Sequence, residues 1–197
     1  MKQKIDSRVI KTQAAIQNSF WELLDEEGFA KIKVKQILQR ADINRSTFYT
    51  YYDDKYALLD TVEEELFEGF RNIGRQMSSA MITVHRSDLS SIRDYYNQMA
   101  NYIYRNGKKI ALLVCDEGDP AFVSKLITMD RDFWRQTGLI EKLAIPQRYA
   151  FSAFAAMIVS LITEWAKSDF HETSEEFSKI MDKVISPVML THSLFSE

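Results

Sequence analysis

Apolar residues recur every three or four positions along nearly the whole chain, and no segment shows the strict alternation of a half-buried strand. The first such stripe lies between Ser7 and Glu27, and Gly28 follows it as a residue that easily adopts the left-handed backbone of a helix end. The stripe consists of Ile10, Ala14, Ile16, Phe20, Leu23 and Leu24. The pattern therefore predicts an all-α chain whose first helix spans residues 7–27.

Start and stop signals divide the rest of the chain into about eight further helices. Asp119–Pro120 is typical of an N-cap followed by proline at the first helical position, and Thr173 with Glu176 forms a capping box. Pro187 predicts a kink or an early end of the last helix. The predicted helices begin near residues 34, 45, 55, 88, 108, 120, 146 and 174.

Residues 34–55 have the layout of a helix-turn-helix. Val34 to Ala41 forms a short helix, Asp42 and Ile43 form the turn, and Asn44 caps a second short helix over Arg45 to Tyr51. In such a motif the second helix enters the major groove of DNA. The spacing of Phe48 and Tyr52 predicts that both face inward.

The opposite face of that helix predicts a DNA contact surface. Arg45 can pair with guanine, and the Thr47 methyl can contact a thymine methyl. Lysines before and after the motif suit phosphate contacts. The predicted DNA-binding residues are Lys33, Lys35, Asn44, Arg45, Ser46, Thr47, Tyr49, Thr50, Tyr51 and Lys55. The alternative, in which the tyrosines are core residues and the lysines only solvated, would need four aromatic residues buried on one helix face.

Charge and composition favour the same interpretation. The net charge of the 197 residues is −3, but residues 1–55 carry 10 Lys and Arg against 8 Asp and Glu. A mildly basic first quarter on an acidic body suits a protein that meets phosphates at one end. A single cysteine, a polar N-terminus and the lack of a long apolar run favour the cytoplasm, with no membrane span.

Residues 8–59 resemble the DNA-binding domain of the TetR family of bacterial regulators. The string FYTYYDDKYALL is close to a signature of that family, and further matches are Ala14, Phe20, Gly28–Phe29, Val34, Ile37, Ala41, Ile43, Thr47 and Leu58. The resemblance implies a homodimer that reads a palindrome with two recognition helices and a C-terminal domain that usually binds a small molecule. It also implies two domains here, 1–55 for DNA binding and 56–197 for regulation and dimerisation.

Three positions depart from the family pattern. Asp42 stands where the turn usually has glycine, and aspartate tolerates left-handed backbone better than most residues. Lys33 stands where a serine or threonine often caps the second helix, and Leu38 replaces a frequent alanine. Further along, residues 112–122 and 155–165 are similar to a TetR subgroup that includes regulators resembling the activator of dihydroxyacetone kinase genes.

The C-terminal half predicts a dimer interface and, less directly, a ligand pocket. The expected interface residues lie on the last two helices: Phe151, Phe154, Ala155, Ile158, Ile162, Trp165, Phe177, Ile180, Met181 and Val184. A monomer core is the alternative. The expected pocket residues are Met99, Tyr102, Ile103, Leu113, Phe122, Leu126, Phe133 and Trp134, for which simple core packing is the alternative.

Other chemistry finds little support in the sequence. His85, His171 and His192 lack ligand spacing, and no nucleophile elbow or phosphate loop occurs. We therefore expect no enzyme activity, no metal and no cofactor, and expect double-stranded DNA, a second copy of the chain and a small-molecule effector as partners. The competing hypothesis is a TetR-fold protein that acts mainly through a protein partner.

Overall fold

The structure is a computed structural model that describes residues 7–83, 90–136 and 143–190, with the side chains of 76–92, 134 and 189–190 left aside. These residues form nine α-helices and no strand, as predicted. The helices are α1 Ser7–Glu27, α2 Val34–Arg40, α3 Arg45–Tyr49, α4 Lys55–Thr83, α5 Ser90–Arg105, α6 Gly107–Val114, α7 Phe122–Gln136, α8 Gln147–Lys167 and α9 Ser174–Leu190.

Contacts divide the chain into two compact units. The first unit comprises Met1–Glu65 together with Leu112–Pro120, and the second comprises Leu66–Ala111 with Ala121–Glu197. We name them the HTH unit and, after the role that the resemblance implies, the regulatory unit. This division by contacts falls inside α4, after Glu65, and a short segment from mid-chain packs with the HTH unit. The functional boundary at residue 55 stays a prediction.

The core of the HTH unit follows the predicted stripe of α1, with two exceptions. Ile16, Phe20, Leu23 and Leu24 are at most 3% exposed, whereas Ile10 is 55% exposed and Ala14 is also exposed. At roughly 100° per residue, Ile10 and Ala14 lie about 95° and about 135° from the centre of the four buried positions, so they leave the buried face. The prediction was wrong for these two residues because it relied on spacing between neighbouring pairs.

Gly28 ends α1 with a φ of +75°, as predicted. Its missing side chain also makes room for the mid-chain segment, because a Cβ there would lie 2.9 Å from the Glu117 Cβ. The next residue, Phe29, donates its N–H to the Glu117 carbonyl at 2.8 Å. Gly28 thus ends α1 and leaves room for the close approach of residues 112–120.

The regulatory unit packs α5 against α9 and α7 against α8. Trp165 and Phe177 stack with ring centres 3.8 Å apart, and the Trp165 indole N–H donates to the Glu172 carbonyl at 3.0 Å. Polar bonds also join α5 to α9, since Ser178 donates to Asn97 at 2.6 Å. The two helices are therefore held by hydrogen bonds as well as by apolar contact.

Several predicted helix ends are confirmed and one is wrong. Pro146 precedes α8, and the Thr173–Glu176 capping box precedes α9. Pro120, however, is not in the first turn of α7, which begins two residues later at Phe122. Of the two outcomes predicted at Pro187, a kink or an early end, the early end does not occur, because α9 continues to Leu190. The predicted start of the fifth helix near residue 88 lies outside the described residues.

Candidate nucleic-acid interface and regulatory cavity

Helix α3, which the sequence predicts to enter DNA, is anchored by two aromatic residues. Phe48 is fully buried and Tyr52 is 4% exposed, so both face the core of the HTH unit as predicted. The other side of the helix is open, and Tyr49 remains 43% exposed. Four further polar residues of the predicted DNA surface are exposed, namely Asn44, Arg45, Ser46 and Thr50. The helix therefore presents donors, acceptors and a positive charge outward.

The turn before α3 sets the direction of that helix. Asp42 takes a left-handed φ of +52°, the conformation in which glycine is usual, and Ile43 donates its N–H to the Leu38 carbonyl at 3.1 Å. Asn44 occupies the N-cap position, but only its carbonyl is used, accepting from Thr47 and Phe48. Its side-chain amide makes no capping bond, so it remains available beside the exposed face.

Arg45 and Tyr49 form a pair on the exposed face. The Arg45 guanidinium lies 5.4 Å from the centre of the Tyr49 ring, one helical turn away. Such cation–π contacts are worth about 0.5–1 kcal/mol at exposed sites. The contact restricts both side chains without using the N–H groups of the guanidinium, which keeps them available for base edges.

The start of α2 shows how the chain replaces the usual cap. Lysine cannot accept a hydrogen bond, but the Gln36 side-chain oxygen accepts from the Lys33 backbone N–H at 2.8 Å. The Gln36 amide nitrogen donates in turn to both oxygens of Glu27 at 2.8 Å. The ammonium groups of Lys33 and Lys35 are left on exposed side chains.

A polar groove that the sequence did not indicate lies beside these residues. It is lined by Thr12 from α1, by Lys35 and Gln39 from α2, and by Asn44 and Thr47 around the start of α3. Gln39 could have been predicted from the sequence, because it lies four residues after Lys35 and therefore on the same face of α2. Thr12 carried no signal, because a lone hydroxyl on α1 is ordinary.

Lys55 differs from the expectation of a phosphate contact. Its ammonium donates to the carbonyls of Phe29, Ala30 and Ile32 at 2.9, 3.2 and 2.9 Å. These three bonds use all three of its hydrogens. Partial burial lowers the pKa of Lys55. The side chain therefore closes the loop after α1, and a contact of α4 with phosphate would rely on its backbone N–H groups.

Arg40 ties α2 to α1. Its guanidinium meets the Glu26 carboxylate through two bonds of 2.9 and 2.7 Å. The hydrogen bond from Arg40 lowers the pKa of Glu26. Because its charge is matched within the unit, Arg40 contrasts with Arg45 five residues later.

The regulatory unit contains a cavity of about 90 Å³. Three of the predicted pocket residues, Met99, Leu126 and Phe133, line it. Tyr102, Ile103, Leu113 and Phe122 do not, and Trp134 lies among the residues whose side chains are not described. Tyr102 instead donates its hydroxyl to the Leu66 carbonyl at 2.9 Å, and the other three are packed in cores.

The remaining walls come from helices that the sequence assigned elsewhere. Phe70 and Gly74 of α4, Ile158 and Ile162 of α8, and Met181 of α9 all face the cavity. A Cβ on Gly74 would lie 3.0 Å from the Phe133 ring, so this glycine lets the ring reach the helix. Periodicity indicates that a residue is buried but not which partner buries it, and Ile158, Ile162 and Met181 were therefore expected at the dimer interface.

The predicted dimer interface needs a correction. Seven of its ten residues are at most 7% exposed within a single chain: Phe151, Phe154, Ala155, Ile162, Trp165, Phe177 and Met181. Side chains buried in this way leave almost no surface for a second copy, and Ile158 lines the cavity. Of the other two, Ile180 is half-buried and Val184 is 39% exposed. The exposed side of α8 carries Ala153, Ala156 and Ser160 instead.

Two further features bear on the class of protein. By length and composition alone, α8 is apolar enough to cross a membrane, but six of its residues are buried in the regulatory unit. Within the described residues, no group of three His, Cys, Asp or Glu side chains could hold a metal ion. His85 and His192 lie outside those residues.

Comparison with known families matches both parts of the chain. Residues 21–62 match the family described as bacterial regulatory proteins of the tetR family, and residues 90–187 match a transcriptional regulator C-terminal region.

Two relatives come from Bacillus subtilis strain 168. YxbF, described as an uncharacterized HTH-type transcriptional regulator, is 38% identical over 60 residues, which cover 30% of this chain and 16% of YxbF. YttP, described as a probable HTH-type transcriptional regulator, is 24% identical over 104 residues, 49% of this chain and 50% of YttP. The chain thus spans half or less of the length of these relatives.

Solved structures share the fold over nearly the full length. A TetR transcriptional regulator from Streptococcus agalactiae 2603V is 25% identical, with a TM-score of 0.61 and coverage of 89% of this chain and 93% of that one. NalD of Pseudomonas aeruginosa, the secondary repressor of the MexAB-OprM efflux pump, is 20% identical, with a TM-score of 0.61 and coverage of 95% and 99%. DhaS, a dihydroxyacetone kinase operon activator, is 18% identical, with a TM-score of 0.57 and coverage of 92% and 98%.

Proposed function

Because the chain belongs to the TetR family of transcriptional regulators, we propose that it binds a palindromic DNA operator as a cytoplasmic homodimer and responds to a small molecule. The observation that carries this proposal is the outward face of α3. There Arg45, Ser46, Tyr49 and Thr50 are exposed while Phe48 and Tyr52 fix the helix from behind. Nothing in this role requires catalysis, a metal or a cofactor.

The proposed contacts fall into two kinds. Arg45, Thr47 and Asn44 reach base edges, whereas Lys33, Lys35, Tyr49, Ser46, Thr50 and Tyr51 contact phosphates or support those that do. Phosphate contacts strengthen binding to every sequence, and base contacts select among sequences. Of the predicted set, we assign Lys55 a structural role, because its ammonium is fully used by three carbonyls.

We propose that the dimer forms through α8 and α9. The face we propose consists of Ala153, Ala156 and Ser160 on α8, and Val184 with Pro187 on α9, all of which are exposed in the single chain. Small residues allow the helices of two copies to approach closely.

One substitution in this face tests the dimer. Ala156→Arg should dissociate it in sedimentation experiments, because a long charged side chain replaces a methyl group between the two copies. Ala14→Arg, the same change at an exposed position of α1, should leave the dimer intact. A dimer that survives Ala156→Arg would exclude this face.

The experiment that tests DNA reading is selection of bound sequences from a random pool, followed by affinity measurements at several salt concentrations. A twofold-symmetric sequence with a steep salt dependence is expected. Arg45→Ala should cost about 1–3 kcal/mol at one base pair of each half-site and relax the preference there. Tyr49→Phe should weaken binding to all sequences alike.

Arg40→Ala is the matched control for Arg45→Ala. It removes one positive charge from the same unit, but that charge is already paired with Glu26. The sequence preference should therefore be retained. If Arg40→Ala alters the preference and Arg45→Ala does not, the assignment of the reading face is wrong.

A further inference from the structure

The walls of the regulatory cavity are apolar apart from a few residues. Aromatic and aliphatic side chains from α4, α5, α7, α8 and α9 line it, and the charged residues among its walls are Arg71 and Asp130. A site built in this way favours a ligand whose surface is mostly apolar, because each methylene moved from water into it tightens binding roughly fourfold.

The two charged residues on the wall already have partners. The Arg71 Nε donates to the Glu68 carboxylate at 3.0 Å. Asp130 also has an interaction partner within the protein. Burial raises the pKa of the neighbouring Tyr95, and the negative charge of Asp130 raises it further. An ion that entered the cavity would lose its hydration without gaining a new opposite charge, which is costly in an apolar site.

The size of the cavity sets a second limit. An apolar cavity of about 150 Å³ can hold benzene, so about 90 Å³ accommodates roughly four non-hydrogen atoms before any wall moves. Three methionines, Met99, Met129 and Met181, belong to the wall. Methionine side chains turn easily, so the space can extend by a few atoms in several directions.

We propose that this cavity binds a compact, electrically neutral and mainly apolar molecule of roughly four to eight non-hydrogen atoms. The apolar walls disfavour charged metabolites and nucleotides, and the small volume disfavours long acyl chains. The inference rests on the proposed function for its regulatory meaning, because it names the class of effector, but ligand binding itself can be measured without DNA.

The test uses the full-length protein and three four-carbon probes that differ in charge: butan-1-ol, butyrate and n-butylammonium. Binding is followed by NMR of methyl-labelled methionines, with Met157, which does not line the cavity, as internal control. Butan-1-ol should shift the Met99, Met129 and Met181 signals in a saturable way. Butyrate and butylammonium should bind at least about tenfold more weakly, since each must bury a charge without a partner.

Ala155→Leu tests the location. Ala155 lines the cavity, and a leucine there occupies the space without removing a polar group. Butan-1-ol binding should disappear, whereas Ala144→Leu, the same change at an exposed position, should preserve it. If Ala155→Leu does not fold, the methionine shifts of the unmodified protein still decide the question.

Three results would overturn the inference. The first is a charged probe that binds as tightly as butan-1-ol, and the second is the absence of any saturable methionine shift. The third is an affinity for decan-1-ol that rises roughly fourfold with each added methylene, as an open apolar channel would give. Operator selection on the same preparation separates the two proposals. Specific DNA binding without probe binding would leave the proposed function intact, and probe binding without specific DNA would leave only the cavity assignment.

Discussion

The HTH unit and the regulatory unit are both helical, but they are held together in different ways. In the HTH unit, polar groups fix the loops: Lys55 binds three carbonyls, Gln36 joins Glu27 to the start of α2, and Arg40 holds Glu26. In the regulatory unit, hydrogen bonds also join α5 to α9, but the apolar faces of long helices surround a cavity with methionines in its wall. Directional bonds suit a surface that must keep its shape, and apolar packing around a void suits one that must adapt to a ligand.

The difference shows that one unit of a chain can be rigid while another unit of the same chain can adapt its shape. Cavities and adaptable side chains reduce the cost of small rearrangements, because less contact is lost when a wall moves. Hydrogen-bonded loops resist such movement, since a broken bond leaves a buried group without a partner. The following substitutions test this contrast.

The largest expected effect comes from deleting one buried ring in each unit. Phe48→Ala should reduce the free energy of unfolding by about 4 kcal/mol, and Phe154→Ala by about 3 kcal/mol, because the latter ring borders existing space and its neighbours can move in. Urea unfolding followed by circular dichroism measures both. A larger loss for Phe154→Ala would contradict the idea of a loosely filled regulatory unit.

Removing the Lys55 ammonium should have the next largest effect on the free energy of unfolding. Lys55→Met leaves three carbonyls without their donor and should cost about 2–3 kcal/mol, on the scale of hydrogen bonds to charged groups, as measured by urea unfolding. Lys55→Arg should recover part of this stability. Should Lys55→Met instead leave stability unchanged and weaken binding to all DNA, the lysine would be a phosphate contact as the sequence indicated.

The turn residue Asp42 should show a smaller effect. Its left-handed φ of +52° strains most side chains, so Asp42→Ala should destabilise the protein by about 1 kcal/mol while Asp42→Gly stays close to the parent. Thermal unfolding of the two variants side by side provides the measurement. Equal midpoints for alanine and glycine would show that the turn relaxes to another conformation.

The smallest expected effect concerns pH at the start of α9. Hydrogen bonds from the Thr173 N–H and hydroxyl lower the pKa of Glu176. A carboxylate whose folded-state pKa is depressed stabilises the fold above its ordinary pKa of about 4.5 and loses this contribution as pH falls through the folded value. Glu176→Gln should flatten the dependence of unfolding free energy on pH below that ordinary value. An unchanged profile would show that the Glu176 carboxylate does not contribute to stability in this pH range.

The two units also differ in how far the sequence predicted them. In the HTH unit, local signals sufficed for the ends of α1 and for the burial of Phe48 and Tyr52, since these depend on residues close in sequence. The left-handed backbone of Asp42 was expected from the family resemblance, which has glycine at this position. The sequence did not reveal the structural role of Lys55, because the carbonyls that accept its hydrogen bonds lie more than twenty residues away. The family match added a signature but could not distinguish a structural lysine from a phosphate contact.

In the regulatory unit, helix existence was predictable and helix faces were not. Because α8 is apolar on nearly every side, periodicity does not separate the side that meets α9, the side that lines the cavity and the side left exposed. Phe154 and Ile162 were therefore assigned to a dimer interface although the chain buries them itself. Choosing among faces requires tertiary contacts that no local pattern encodes.

The mid-chain segment that seats on Gly28 has a consequence for synthesis on the ribosome. The HTH unit is not contiguous, because Leu112–Pro120 belongs to it and residues 66–111 are made in between. At about 5–20 residues per second, translation delivers the missing piece roughly 3–10 seconds after residue 65. The nascent HTH unit stays incomplete over that interval, so a hybrid regulator assembled by transplanting residues 1–65 alone would inherit a module with one part missing.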